Sequence, residues 1–214
     1  KAGVDVIKVM ATGGVLTKGV EPGSPQLTIE EITAAVEEAH KASCKTASHA
    51  QGTEGILNAV KAGIDSIEHG IFLNQETVDM MKENNTFLVP TLVAPYWIVE
   101  NGVEKGIPEF AVEKSKKIIN SHIKSFKLAL NNNVNIAMGT DAGTPFNDHG
   151  KNTYELKLMV EAGMTPIQAL KSATLIGAEL LDIMDDFGSI EEGKVADMVI
   201  VSGNPVENIE DIFN

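Results

Sequence analysis

Four side chains able to do chemistry stand at matching points of successive segments: Lys8, His49, His69 and Asp141. Each lies in or just after a short apolar or β-branched run, in Val4–Met10, Lys45–Ser48, Ile64–Glu68 and Ile136–Met138 respectively. Such runs read as strands, and sites in parallel α/β folds are built at the C-terminal ends of strands. His49 and His69 are 20 residues apart, the length of one strand-helix unit, so neighbouring parallel strands place both imidazoles at one rim. Two neutral imidazoles and a carboxylate are a donor set suited to zinc or a similar first-row metal. A lysine joins that set only when neutral or when converted by carbon dioxide to an anionic carbamate, because an ammonium repels a cation. A lone Gly-Thr-Asp is more often a turn in which the acid bonds its own backbone. The repetition at several strand ends is what turns Asp141 into a candidate ligand and base.

The elements that would carry these residues alternate along the chain. Thr28 is a candidate helix N-cap with Glu31 three residues on, and Ile29, Ile32, Ala35, Val36 and Ala39 follow at helical spacing. Helices are expected from Thr53 to Gly63, from Gln75 to Asn84, from about Pro108 to Asn131, from Asn152 to Ala162 and from Thr165 to Leu181. A further strand is expected over Thr86–Leu92, followed by a Pro- and aromatic-bearing loop to Phe110. Five strands separated mostly by helices predict an α/β fold with a parallel sheet. The segment from Lys1 to Gly3 resembles a helix end, so the chain is expected to begin inside a fold. The tail from Gly188 is expected to be strand-like, with Gly-rich turns.

Composition narrows the function. A chain of 214 residues that is 43% hydrophobic can bury a substantial core. Its net charge is −13 and its 17 basic residues are all lysine, so no basic patch is on offer to a nucleic acid. The single cysteine, Cys44, fits a reducing, cytoplasmic setting. No apolar run approaches the roughly 18 to 20 residues of a membrane span.

The stretches IKVMATGGV, SHAQGTEGI, SIEHGIFL, VPTL, GTDAGTP, AGMTPIQALKSAT and GSIEEGKVADMVIV, in that order, together resemble the metal-dependent amidohydrolase superfamily, in the branch with Xaa-Pro dipeptidases and imidazolonepropionase-like hydrolases. The resemblance implies a partial (β/α)8 barrel over residues 1–186, roughly strands four to eight, with a remnant of a small β-sandwich over 187–214. It implies one or two divalent metals, zinc first. By position Lys8 resembles the carboxylated lysine that bridges two metals, and His49 and His69 resemble ligands of the second metal. Asp141 resembles the ligand of the first metal that also shuttles protons. The implied activity is amide hydrolysis of Xaa-Pro or related N-acyl amino acids, with cyclic-amide or imidazolone hydrolysis, or deamination, as alternatives.

The family's His-x-His pair is absent, since no two histidines here are two apart. The expectation is therefore a C-terminal fragment lacking strands one to three, with part of the site, open sheet edges and a tendency to self-associate, catalytically incomplete by itself. Tyr96 is a candidate for holding a substrate carboxylate and reads equally as packing. His149 reads equally as a substrate contact or a loop residue, and Gly13 and Gly14 as a substrate-bordering loop or a simple turn. His40 is expected to be structural, and His122 and the Lys114, Lys116, Lys117 cluster to be solvated. The partner implied is a small-molecule or dipeptide substrate, with no nucleic acid and no membrane, and a homo-oligomer is compatible with it.

Overall fold

The computed structural model describes residues 3–214, so the helix end expected at Lys1 and Ala2 lies outside the described residues. Four strands, β1 (Val6–Met10), β2 (Lys45–Ala50), β3 (Ser66–His69) and β4 (Phe87–Val89), form one parallel sheet in sequence order. The helices between them are α1 (Ile29–Lys41), α2 (Thr53–Lys61) and α3 (Gln75–Glu83). The predicted α/β class with a parallel sheet is what the chain adopts.

Local chemistry accounts for most of the boundaries. The Thr28 hydroxyl accepts from the Glu31 amide while the Glu31 carboxylate accepts from the Thr28 amide, the capping box expected for α1. Thr53, expected to cap α2, is instead its first residue, because its hydroxyl donates to the Phe72 carbonyl at 2.6 Å and Gly52 takes the cap position. The stretch read as a loop after β4 contains the helix α4 (Val93–Asn101). Val93, Ala94, Pro95 and Ile98 are all buried, so α4 lacks the one-sided pattern by which a helix shows itself. Pro95, in its first turn, costs no intrahelical hydrogen bond. Helix α5 (Glu109–Asn131) runs as expected, whereas the single helix expected over Thr165–Leu181 breaks at Thr174 into α7 (Pro166–Ala173) and α8 (Leu175–Leu180), after α6 (Thr153–Glu161).

The run ending near Asp141 lies beside β4 but is joined to it by one isolated parallel bridge, Leu88 to Ile136, flanked by bonds from the Leu88 amide to the Asn135 carbonyl and from the Ala137 amide to the Leu88 carbonyl. It therefore occupies a strand's place without being one. No strand forms within 187–214, where the tail was expected to be strand-like. Ile190, Val199 and Ile200 there are 86%, 86% and 97% exposed, and a β-prone segment with no ladder to join cannot form a strand alone.

The core lies between the outer face of the sheet and the helices, with Ile32, Ile56, Ile67, Met81, Leu88 and Phe126 at its centre. The outer edge of β1 is open, with Val6 and Met10 38% and 52% exposed. At the opposite end of the strands from the candidate site, Asp65 accepts from the Thr46 amide at 2.8 Å, the Thr46 hydroxyl at 2.6 Å and His40 Nε2 at 2.9 Å. His40 is thus engaged in a structural network.

Burial pushes the Asp65 carboxyl up, but the bonds from Thr46 and His40 outweigh it and hold the group below its ordinary 3.8. A depressed carboxyl adds stability that is present above the unfolded pKa and is lost as the pH falls through the folded one. Asp65→Asn is accordingly expected to cost about 1 to 3 kcal/mol at neutral pH. In urea melts across the acid range, the gap between variant and parent should close as the pH drops below about 4. A gap that stays constant with pH would assign the loss to packing.

Candidate active site

The C-terminal ends of the strands open into a cleft of about 450 Å³. Lys8, His49, His69 and Asp141 all line it, together with Gly13 and Gly14. Register explains part of this convergence. Lys8 pairs with Ala47 and His49 with Glu68, so Lys8, His49 and Glu68 alternate onto one face of the sheet. His69 pairs with Ala50, and strict alternation would send its ring to the opposite face from His49. Its φ of +74° breaks that alternation, and the two rings lie with centroids 4.6 Å apart. Thr91 and Asp141, at the ends of the next two segments, are also left-handed, with φ of +53° and +56°. Three non-glycine residues in this conformation along one rim is the local strain that functional sites store.

Both imidazoles are held neutral. Burial first, then the Lys8 ammonium, lower the His49 pKa, against opposing effects of the Gly13 carbonyl and Asp141. Burial, followed by His49, His122 and Lys8, sets His69 well below the usual histidine range. His69 Nδ1 lies 2.7 Å from the Thr91 hydroxyl, and His69 O accepts from His122 Nε2 at 2.9 Å. His49 Nε2 is buried with no hydrogen-bond partner. A neutral imidazole with an unpartnered buried nitrogen beside a second one fits a pair of metal ligands. Among the described residues no three His, Cys, Asp or Glu side chains converge as a full ligand set, and Asp141 is exposed.

The loop between β1 and α1 forms one wall. Thr12 bridges to Pro25, and the Gly13 amide donates to the Ser24 carbonyl at 2.9 Å. A Cβ on Gly14 would stand 3.0 Å from the His49 ring, so the absence of a side chain lets the backbone lie against the imidazole. Lys114 of α5, expected to be solvated, is half-buried and donates through Nζ to the carbonyls of Thr17, at 2.7 Å, and Val20. Lys116 and Lys117 are exposed.

The remaining candidates lie elsewhere. Tyr96 lines a separate, smaller pocket of about 110 Å³. Its hydroxyl is 2.9 Å from that of Tyr154, a bond that raises its pKa. His149 is exposed on the loop after Asp141, outside the residues lining the cleft. His122, expected to be solvated, is 1% exposed, and burial lowers its pKa to about 4. The spacing of Ile118, His122 and Phe126, each four residues apart, placed it on the buried stripe of α5 and was the signal for it. Thr91, which contacts His69, carries no such sequence signal.

The amidohydrolase family model matches residues 1–214. The chain belongs to the amidohydrolase family. This amidohydrolase chain is 42% identical to a Xaa-Pro dipeptidase solved with methionine bound in its active site, with a TM-score of 0.93 over 99% of this chain and 52% of that one. A prolidase solved in complex with N-methylphosphonate-L-proline is 31% identical, with a TM-score of 0.92 over 99% of this chain and 51% of that one. The ochratoxinase of Aspergillus niger is 34% identical over 98% of this chain and 43% of its own length. The chain therefore spans about half the length of the relatives it matches.

Proposed function

We propose that the complete protein hydrolyses the amide bond of a small substrate, an Xaa-Pro dipeptide or another N-acyl amino acid. The observation that carries this reading is the gathering of Lys8, His49, His69 and Asp141 on one cleft, in a chain of the amidohydrolase family. The likeness to a Xaa-Pro dipeptidase, a prolidase and an ochratoxinase supports amide substrates. In this reading the sheet is part of a (β/α)8 barrel over residues 1–186, and 187–214 joins a small β-sandwich, which would give the exposed apolar tail its partner strands.

His49 and His69 would hold a divalent metal, zinc by the nature of the donors, with a carbamate on Lys8 and the Asp141 carboxylate as further ligands. When bound, that ion supplies a Lewis acid that polarises the amide carbonyl and acidifies water. The chain's own residues do the rest. Asp141 accepts the proton of the attacking water and returns it to the leaving amine nitrogen. Gly13 and Gly14 bring backbone close to the reacting group, and Ala94, Pro95, Ile98 and Ile118 offer an apolar wall to the substrate side chain.

The test is to assay the 214-residue chain and a longer protein restoring the preceding segment on a panel of Xaa-Pro dipeptides and N-acyl amino acids, with metal content measured on both. The longer protein is expected to release free amino acid from at least one class and to hold about two metal ions. Ammonia release without amide cleavage, or no turnover of any of these amides, would overturn the proposal.

A further inference from the structure

Glu155 is fully buried at the start of α6, and its two oxygens accept from consecutive backbone amides, Leu92 at 2.8 Å and Val93 at 2.7 Å. These amides open α4, where Leu92 itself is helical and offers no side-chain cap. Glu155 thus caps, from another helix, an N-terminus that has no cap of its own. Burial raises its pKa to about 8 despite the two amide donors, so a carboxyl is kept here at an energetic cost.

The residue just before the clamped amides is Thr91. A β-branched residue at φ +53° is an outlier that persists only where its surroundings over-determine it. In that conformation its hydroxyl meets His69 Nδ1 at 2.7 Å. A hydrogen bond at Nδ1 orients the ring, and where the Thr91 hydroxyl accepts it the proton sits on Nδ1 and the lone pair on Nε2.

We infer that Glu155 is a positioning residue for the His69 imidazole, acting through the Leu92 and Val93 amides and the left-handed Thr91 that they fix. The geometry runs from α6 to the rim of the cleft in one unbroken set of contacts, and the side chains at its two ends, Glu155 and Thr91, can be changed separately. The catalytic consequence rests on the proposed role of His69 as a metal ligand, whereas the positioning itself does not.

The test uses Glu155→Gln, which keeps the volume but turns an amide NH2 toward one of the two backbone donors, with Thr91→Val and Thr91→Ser. Imidazole 15N chemical shifts of His69, assigned by comparison with His69→Asn, report tautomer and hydrogen bonding without metal. Zinc affinity is read by competition with a chromophoric chelator, and a thermal melt sets a temperature at which every variant is folded. Glu155→Gln and Thr91→Val are expected to mix the His69 tautomers and weaken zinc binding roughly 10- to 100-fold, with Thr91→Ser restoring both readouts. Glu155 is a plain helix cap, and the inference fails, if Glu155→Gln lowers the melting temperature while both readouts keep their parent values. If the parent itself takes up no zinc, the ligand assignment fails, and the nitrogen shifts still decide the positioning.

Discussion

Replacing His69 by alanine in the complete protein is expected to lower kcat/KM by about a thousandfold or more, roughly 4 kcal/mol of transition-state stabilisation. The size follows from what the side chain combines. It is buried, held neutral, bonded through Nδ1 to Thr91 and set against His49 with ring centroids 4.6 Å apart, so no neighbouring group can take its place. Metal content should fall together with activity, because the proposed ion loses a ligand. His40→Ala is the control for a histidine engaged elsewhere. It breaks the 2.9 Å contact with Asp65 and should lower stability while leaving kcat/KM within a few-fold. The measurement is kcat/KM on the best amide substrate of the panel beside metal analysis of each variant. An unchanged turnover for His69→Ala would remove the site assignment.

The sequence carried the strand-helix alternation, because amphipathic spacing and a capping pair such as Thr28 with Glu31 are local signals that tertiary packing had no reason to override. It carried the positions of His49 and His69 as strand ends, yet not the reason they meet, since a left-handed His69 is a property of the folded rim and has no local signature. Helix α4 was hidden because its apolar residues run through Val93–Val99 without a polar face to give a helical period. The Ile136 run read as a strand from its apolar character, but only the Leu88 bridge holds it beside the sheet. Nothing local singled out Glu155, and Lys114 read as a solvated helix charge. Their partners are backbone groups more than 60 residues away, on Leu92 and Val93, and more than 90 away, on Thr17 and Val20, and no spacing rule reaches that far.

Phe126→Ala is expected to cost about 3 to 5 kcal/mol of stability. Phe126 is 0% exposed on α5 and belongs to the main core with Ile67, Leu88 and Met159. Truncation would leave a cavity in the core that Phe126 shares with Ile67 and Leu88, and the sheet holds too rigid a register to collapse into it. A single domain is stable by only about 5 to 15 kcal/mol, and this chain presents an open β1 edge and an exposed apolar tail that contribute nothing to that total. A drop in Tm of roughly 6 to 20 °C follows for a domain of this size. Ile123, on the same helix but 37% exposed, sets the scale: its alanine variant should lose less than about 1 kcal/mol. Phe126→Leu separates volume from contact, because it fills most of the space and should recover more than half of the loss. Circular dichroism melts, with light scattering to exclude aggregation, would measure all three. A Phe126→Ala variant no less stable than Ile123→Ala would mean that α5 is not packed on the sheet as described. His122, which holds the His69 carbonyl from one turn earlier on that helix, would then lose its anchor as well.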